Sequence, residues 1–170
     1  METTPLEPVT TSDQKTFTYE NGQTAADTSG AYLEFTLHFM AEKDMILHLT
    51  SADSSAGSSD GTAVISENSA LPPSMRISFT TDGNTWIYDP GMGAAGSTES
   101  NAKTFGLPEA GAMKINNDNA MFSLKECVDK AVEVHIWMEG TDPACTDELK
   151  GSNYSIRLRF TGEKTDDQKS

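Results

Sequence analysis

Residues 131–160 read AVEVHIWMEGTDPACTDELKGSNYSIRLRF, and the alternation in them decides the fold. Val132, Val134, Ile136 and Met138 place an apolar side chain at every second position, with Glu133, His135 and Trp137 between them. Tyr154, Ile156, Leu158 and Phe160 repeat the pattern, with Ser155, Arg157 and Arg159 on the other face. A period of two is the signature of a strand with one face on a core. Between these strands Asp142 suits a helix N-cap, Pro143 a first helical position and Gly151 a left-handed stop. That predicts a short helix over 143–150. If the two strands pair antiparallel, Glu133 falls near Arg159 and His135 near Arg157. Such cross-strand pairs set register and are worth roughly 0.2–1 kcal/mol each.

The same alternation recurs upstream. Leu33, Phe35, Leu37 and Phe39 point one way in 31–40 while Glu34, Thr36 and His38 point the other. The turn AEKD then leads to a strand at 45–50, so a β-hairpin is expected. Lys15–Glu20 predicts a short strand, and weaker ones are expected at 63–66, 74–80, 85–88 and 120–124. TDGN at 81–84 is a tight-turn signal between two of them. Residues 51–61 and 89–102 are Ser-, Gly- and Ala-rich and predict loops, and short apolar segments fall at 103–107 and 112–115. Short strands divided by turn signals, with almost no helical periodicity, define an all-β chain. The expected architecture is a two-sheet antiparallel β-sandwich, jelly-roll-like, with one short helix near the C-terminus. Residues 1–14 read as an extended arm, 15–162 as the sandwich domain and 163–170 as a polar tail.

A chain of 170 residues fits one domain that folds without staples. Its net charge of −14 repels phosphate backbones, and no cluster of Lys and Arg offsets it, so no nucleic-acid partner is expected. No apolar run is long enough for a helix to span a bilayer, so no membrane insertion of this chain is expected. METTPLEPVTTSDQ has neither the basic start nor the apolar stretch of a signal peptide, so an exported form would be a mature one.

Enzyme signatures are absent: there is no GxSxG, P-loop, HExxH or dinucleotide fingerprint. No catalytic residue, cofactor-binding residue or metal ligand is assigned. Cys127 and Cys145 leave two readings open. A disulfide between them would contribute about 3 kcal/mol on the chain-entropy model, but the strand between them carries the chain roughly 20 Å away, which leaves two unpaired thiols as the alternative. His38 and His48 would face each other across the expected hairpin, with His135 elsewhere, and a zinc site would need further ligands. Asp60, Asp82, Asp89, Asp118, Glu139, Asp142 and Asp147 recur near turns. They are solvated turn acids or, in oxygen-rich loops, donors to a structural calcium ion, though no DxDxDG spacing occurs. Trp86, Tyr88 and Trp137 are the flat aromatics that a carbohydrate-binding platform would use, set against roles in the core.

The stretch IWMEGTDPACTDELKG, from Ile136 to Gly151, resembles the C-terminal segment of secreted or membrane-tethered β-sandwich proteins of Gram-positive Firmicutes. Those proteins close on a similar Ile-Trp-x-Glu-Gly-x-Asp-Pro-x-Cys-Thr string before a last amphipathic strand. More loosely, the chain is similar to the TasA/camelysin group of biofilm-fibre and surface proteins, and the 33–49 region fits that pattern only in kind. The resemblance implies an extracellular or cell-surface structural protein with no catalytic residue. It also implies that an N-terminal segment completes the sheet of the next subunit, which makes other copies of this chain the partner. Leu6, Val9, Phe17 and Tyr19 are then the anchors of a donor-strand arm. The alternative function is a monomeric module that binds carbohydrate or another surface ligand.

Overall fold

A computed structural model describes residues 6–25, 30–49, 61–89, 120–140 and 142–165. Most of the loop expected at 51–61, nearly all of that at 89–102, and the apolar segments at 103–107 and 112–115 lie outside them. The fold is all-β. A four-stranded antiparallel sheet runs in the order β3 (Tyr32–Phe39), β9 (Lys130–Met138), β6 (Met75–Thr81), β7 (Asn84–Tyr88). Facing it is a three-stranded sheet, β11 (Phe160–Lys164), β4 (Met45–Leu49), β8 (Ala120–Leu124), extended by the pair β5 (Ala63–Ile65) and β10 (Ser155–Arg157). β1 (Val9–Thr10) and β2 (Thr18–Tyr19) form a small ribbon of their own.

Alternation places the core. Val132, Val134, Ile136 and Met138 of β9 and Met75, Ile77 and Phe79 of β6 point inward and are buried. They meet Leu47, Leu49, Val64, Phe122 and Leu124 from the second layer in one cluster. Each such side chain contributes about 1.5–3 kcal/mol by leaving water. Phe160 bridges the layers, edge-on to Phe39 at 5.0 Å and to Phe79 at 5.7 Å between centroids. The TDGN signal is a tight hairpin turn in which Asp82 (φ 51°) and Gly83 (φ 75°) are both left-handed.

Several expected pairings differ. β3 and β4 are not a hairpin: β3 pairs with β9, whereas β4 pairs with β8 and β11. AEKD crosses between the layers, which sets the two apolar faces opposite each other across the core instead of side by side. His38 therefore bonds Asp129 at 2.8 Å on the surface, while buried His48 meets Glu163 at 3.1 Å in the other layer. The closing strands do not pair either. β9 is central, so Glu133 lies opposite Thr36 and Thr80, and His135 opposite Glu34 and Ser78. The last strand splits at Leu158–Arg159 into β10 and β11, and β11 carries the sheet past the expected boundary at 162 to Lys164. Thr62 stands in for the ladder there: its hydroxyl accepts from Arg159 N at 2.9 Å and donates to Arg159 O at 3.2 Å. The short helix near the C-terminus is a single 3-10 turn, Asp147–Leu149. Asp142 caps a tight turn before it, accepting from Ala144 N at 2.8 Å. The one α-helical turn among the described residues is α1, Leu71–Ser74, with two prolines near its start.

The outer face of the four-stranded sheet is also buried at one end, and it holds a charge. Arg76 has no exposure; its Nη2 donates to Asp142 Oδ2, and its Nη1 lies 3.3 Å from Asp89 Oδ1. The same Nη1 donates to the carbonyls of Pro73 and Met75 at 2.8 Å. One guanidinium thus ties α1 and the ends of β7 and β9. Removing one member of a buried ion pair costs about 3–5 kcal/mol, because its partner keeps a charge in a dry site. Arg76→Met, which retains most of the stem volume, is expected to lose that much stability in urea unfolding. A loss below about 1 kcal/mol would show that the ends are held by other contacts.

Candidate functional site

The segment from Leu6 to Tyr19 is laid against its own sandwich. Leu6, Val9 and Phe17 are each only 1% exposed and Tyr19 is half-buried. Leu6 enters the main core, whereas Val9 and Phe17 cover the outer face of the four-stranded sheet with Ala31, Tyr32, Ile87 and Trp137. Phe17 is the centre of this contact. Its ring stacks on Tyr32 at 4.0 Å and 21°, and packs edge-on against Trp137 at 5.5 Å and obliquely against His135 at 5.5 Å. Aromatic pairs in these geometries add about 0.5–1.5 kcal/mol beyond the area they bury.

Among the described residues, main-chain bonds join the segment to the sandwich at two places. Glu7 N donates to Gly30 O at 2.7 Å, Gly140 N donates to Val9 O at 2.9 Å, and Val9 bridges Glu139 in parallel. Gly140 permits this approach, because a Cβ there would stand 3.2 Å from Pro8 Cβ. Beneath it, Trp137 Nε1 donates to the buried carboxylate of Glu139 at 2.9 Å.

The segment reverses through a polar turn. Asp13 Oδ1 accepts from Thr16 N at 2.7 Å and Lys15 N at 2.9 Å, and Thr11 Oγ1 accepts from Gln14 N at 2.9 Å. Burial acts to raise the Asp13 pKa. The backbone bonds from Thr16 and Lys15, with the Thr16 and Thr11 hydroxyls, outweigh it and hold the carboxyl below its ordinary 3.8. A lowered carboxyl stabilises the fold above its unfolded pKa and loses that contribution as pH falls through the folded value.

Of the candidate anchors, Val9, Phe17 and Tyr19 are brought together on the outer face of their own chain's sheet, while Leu6 enters the main core apart from them. The candidate platform is not brought together. Trp86 and Tyr88 face the core between the layers, Trp137 lies under Phe17 on the opposite face, and Tyr88 and Trp137 are fully enclosed. Strand parity separates them: Trp86 and Tyr88 share the inner side with Phe79 and Ile77, while Trp137 pairs with Arg76 on the outer side.

The disulfide is not made; Cys127 and Cys145 are free. β9 runs nine residues between them and holds its ends about 30 Å apart. Cys127 is exposed in a left-handed turn (φ 56°), and Cys145 is half-buried. Burial first, then the carboxylates of Asp142 and Glu139, push the Cys145 thiol up to about 11. The turn acids have partners of their own: Asp82 bonds Lys130 at 2.5 Å and Asp147 bonds Lys150 at 3.0 Å, while Asp60 and Asp118 lie outside the described residues. Among the described residues, no three His, Cys, Asp or Glu side chains converge as metal ligands.

Tyr32, His135, Pro8, Asp13 and Gly140 belong to the docking site, yet the strand pattern does not single them out for it. The spacing of Thr11 and Asp13 within TTSDQKT is the one local signal of the turn. No family model, curated protein or solved structure matches the chain.

Two outcomes are expected. Thiol alkylation of the native protein at pH 8 is expected to label Cys127 fast and Cys145 slowly, the second rate climbing only as pH nears 11; equal rates would contradict the burial of Cys145. The protection of β1 and β2 amides against hydrogen exchange, taken relative to their intrinsic rates, is expected to fall below pH 3.8, a fall that Asp13→Asn removes; an unchanged profile in the variant would take the turn out of the docking.

Proposed function

We propose that this chain is a non-enzymatic structural protein of the extracellular or cell-surface environment that assembles with copies of itself by exchanging the N-terminal segment. The observation that carries this reading is how the segment is held. Leu6, Val9 and Phe17 fill apolar slots, and among the described residues main-chain contacts join residues 6–19 to the sandwich at Gly30, Glu139 and Gly140. Slots of that kind accept the same segment from a neighbour, since an exchanged element makes the same contacts in trans as in cis. The similarity of residues 136–151 to surface sandwich proteins supports the location, and the acidic charge suits a protein displayed in water. No metal or cofactor enters this reading. The carbohydrate alternative loses the observation that motivated it, because Trp86, Tyr88 and Trp137 form no shared exposed face.

Negative-stain microscopy with light scattering tests the proposal on the full chain and on a chain lacking residues 1–19. Ordered polymers are expected from the full chain at high concentration and none from the shortened chain, which keeps the slots but has no segment to donate. Circular dichroism checks that the shortened chain keeps its sheets. Monodisperse monomers of the full chain at every concentration, or ordered polymers that persist without residues 1–19, would overturn the exchange.

A further inference from the structure

The four-stranded sheet ends at β3 on an edge that no strand joins among the described residues. Among the described residues, β3 pairs with β9 alone, so the other side of Tyr32–Phe39 carries a row of peptide groups with no strand beside it. Edge strands are normally blunted by Pro, Lys, bulges or brevity. β3 has none of these: it is eight residues long, reads YLEFTLHF, and keeps an unbroken register with β9. β11, an edge of the other sheet, ends in contrast on Glu163 and Lys164. Beside the β3 edge Phe35 is 37% exposed and Met40 68%, with Leu33 and Leu37 half-buried. Within the described residues, the N-terminal segment bonds Gly30, before the strand begins.

From this edge we infer that β3 is a docking site for β3 of a second copy, joined antiparallel about a two-fold axis through Thr36. The sequence of the strand selects both the occupant and the register. In an antiparallel pair, opposed residues share a face, so a register that sets an inward residue opposite an outward one is excluded. With the axis at Thr36, Leu33 meets Phe39 of the second copy and Phe35 meets its Leu37 on the core side. On the outer side, Glu34 meets its His38, and its Glu34 meets His38. Thr36 meets itself, and exposed Met40 covers Tyr32. Placing the axis at Phe35 or Leu37 leaves Glu34 opposite Thr36 or Met40 and forms no charge pair. Glu34 and His38 are both exposed; within one chain Glu34 lies 3.4 Å from His135 and His38 bonds Asp129 at 2.8 Å, and the new pairs would form in exchange for these surface contacts. The contact is isologous, so it closes a dimer with one continuous eight-stranded sheet. It uses no residue of the N-terminal segment and goes beyond the exchange proposed above, so either can fail without the other.

The test is sedimentation velocity of the full chain, with disulfide trapping in a Cys127→Ser, Cys145→Ser background. The chain is expected to dimerise reversibly. His38→Glu, which sets like charges opposite at two symmetric places, is expected to weaken the dimer about tenfold, and Glu34→Lys with His38→Glu to restore it. Because residues facing each other at the axis lie within disulfide reach, Thr36→Cys is expected to yield a covalent dimer on oxidation. Glu34→Cys, displaced from its own copy by roughly 13 Å along the strands, is expected to stay uncrosslinked. Circular dichroism verifies that each variant is folded. A monomer at all concentrations, a dimer indifferent to His38→Glu, or equal trapping at 34 and 36 would overturn the inference.

Discussion

A guanidinium with no access to water governs the layout of this protein. Arg76 sits on β6, a central strand whose other residues from Met75 to Phe79 are also buried, so its charge must be answered from within the fold. Asp89 and Asp142 answer it from the residues that follow β7 and β9. Those two chain exits therefore have little freedom: each must leave the sheet where its carboxylate reaches the same cation. Asp142 does so while its other oxygen closes the turn that leads away from β9. Local turn chemistry and long-range ion pairing thus act on one side chain, and both favour a single path for the closing block.

Beside that charge, the N-terminal segment covers the outer face of the same sheet. Without Leu6–Tyr19, the sheet would present Trp137, Tyr32 and Ile87 to solvent beside Glu139. With it, the outer face becomes a second small core built around Phe17. The sheet is covered on both faces at one end and open at the other, where Glu34, Thr36 and His38 remain exposed. Strand exchange and edge pairing, as proposed, would draw on these two regions of one sheet separately.

Alternation made the strands legible. Val132 to Met138, Leu33 to Phe39 and the TDGN turn are recognised from residue order alone, since period two and left-handed turn residues are local properties. Layer assignment was not legible. A four-residue connection serves a hairpin or a crossing between sheets equally well, so the 33–49 region gave no sign that β3 and β4 face each other across the core. The site was half visible: Leu6, Val9, Phe17 and Tyr19 stand out as apolar residues in a polar segment, but their destination does not. β1 and β2 are two residues each, too short for any period to show. Trp137 falls on the correct face by parity, and its burial depends on a segment far away in sequence. Arg76 and Ser78 alternate with Met75, Ile77 and Phe79 as a solvent-facing side would, so their burial is not a local property of the sequence.

The short connection from Tyr19 to Tyr32 has a consequence for mass action. A segment tethered that closely confronts its own slots at an effective concentration on the order of millimolar. A neighbour's identical segment makes the same contacts, so it competes on concentration alone. If arms exchange as proposed, the tethered copy would win in dilute solution and keep the chain closed on itself. Crowded on a surface, where neighbours approach that local density, the two occupants would become equivalent. The tether length would then act as a density gauge, setting how closely packed the molecules must be before their arms change hands.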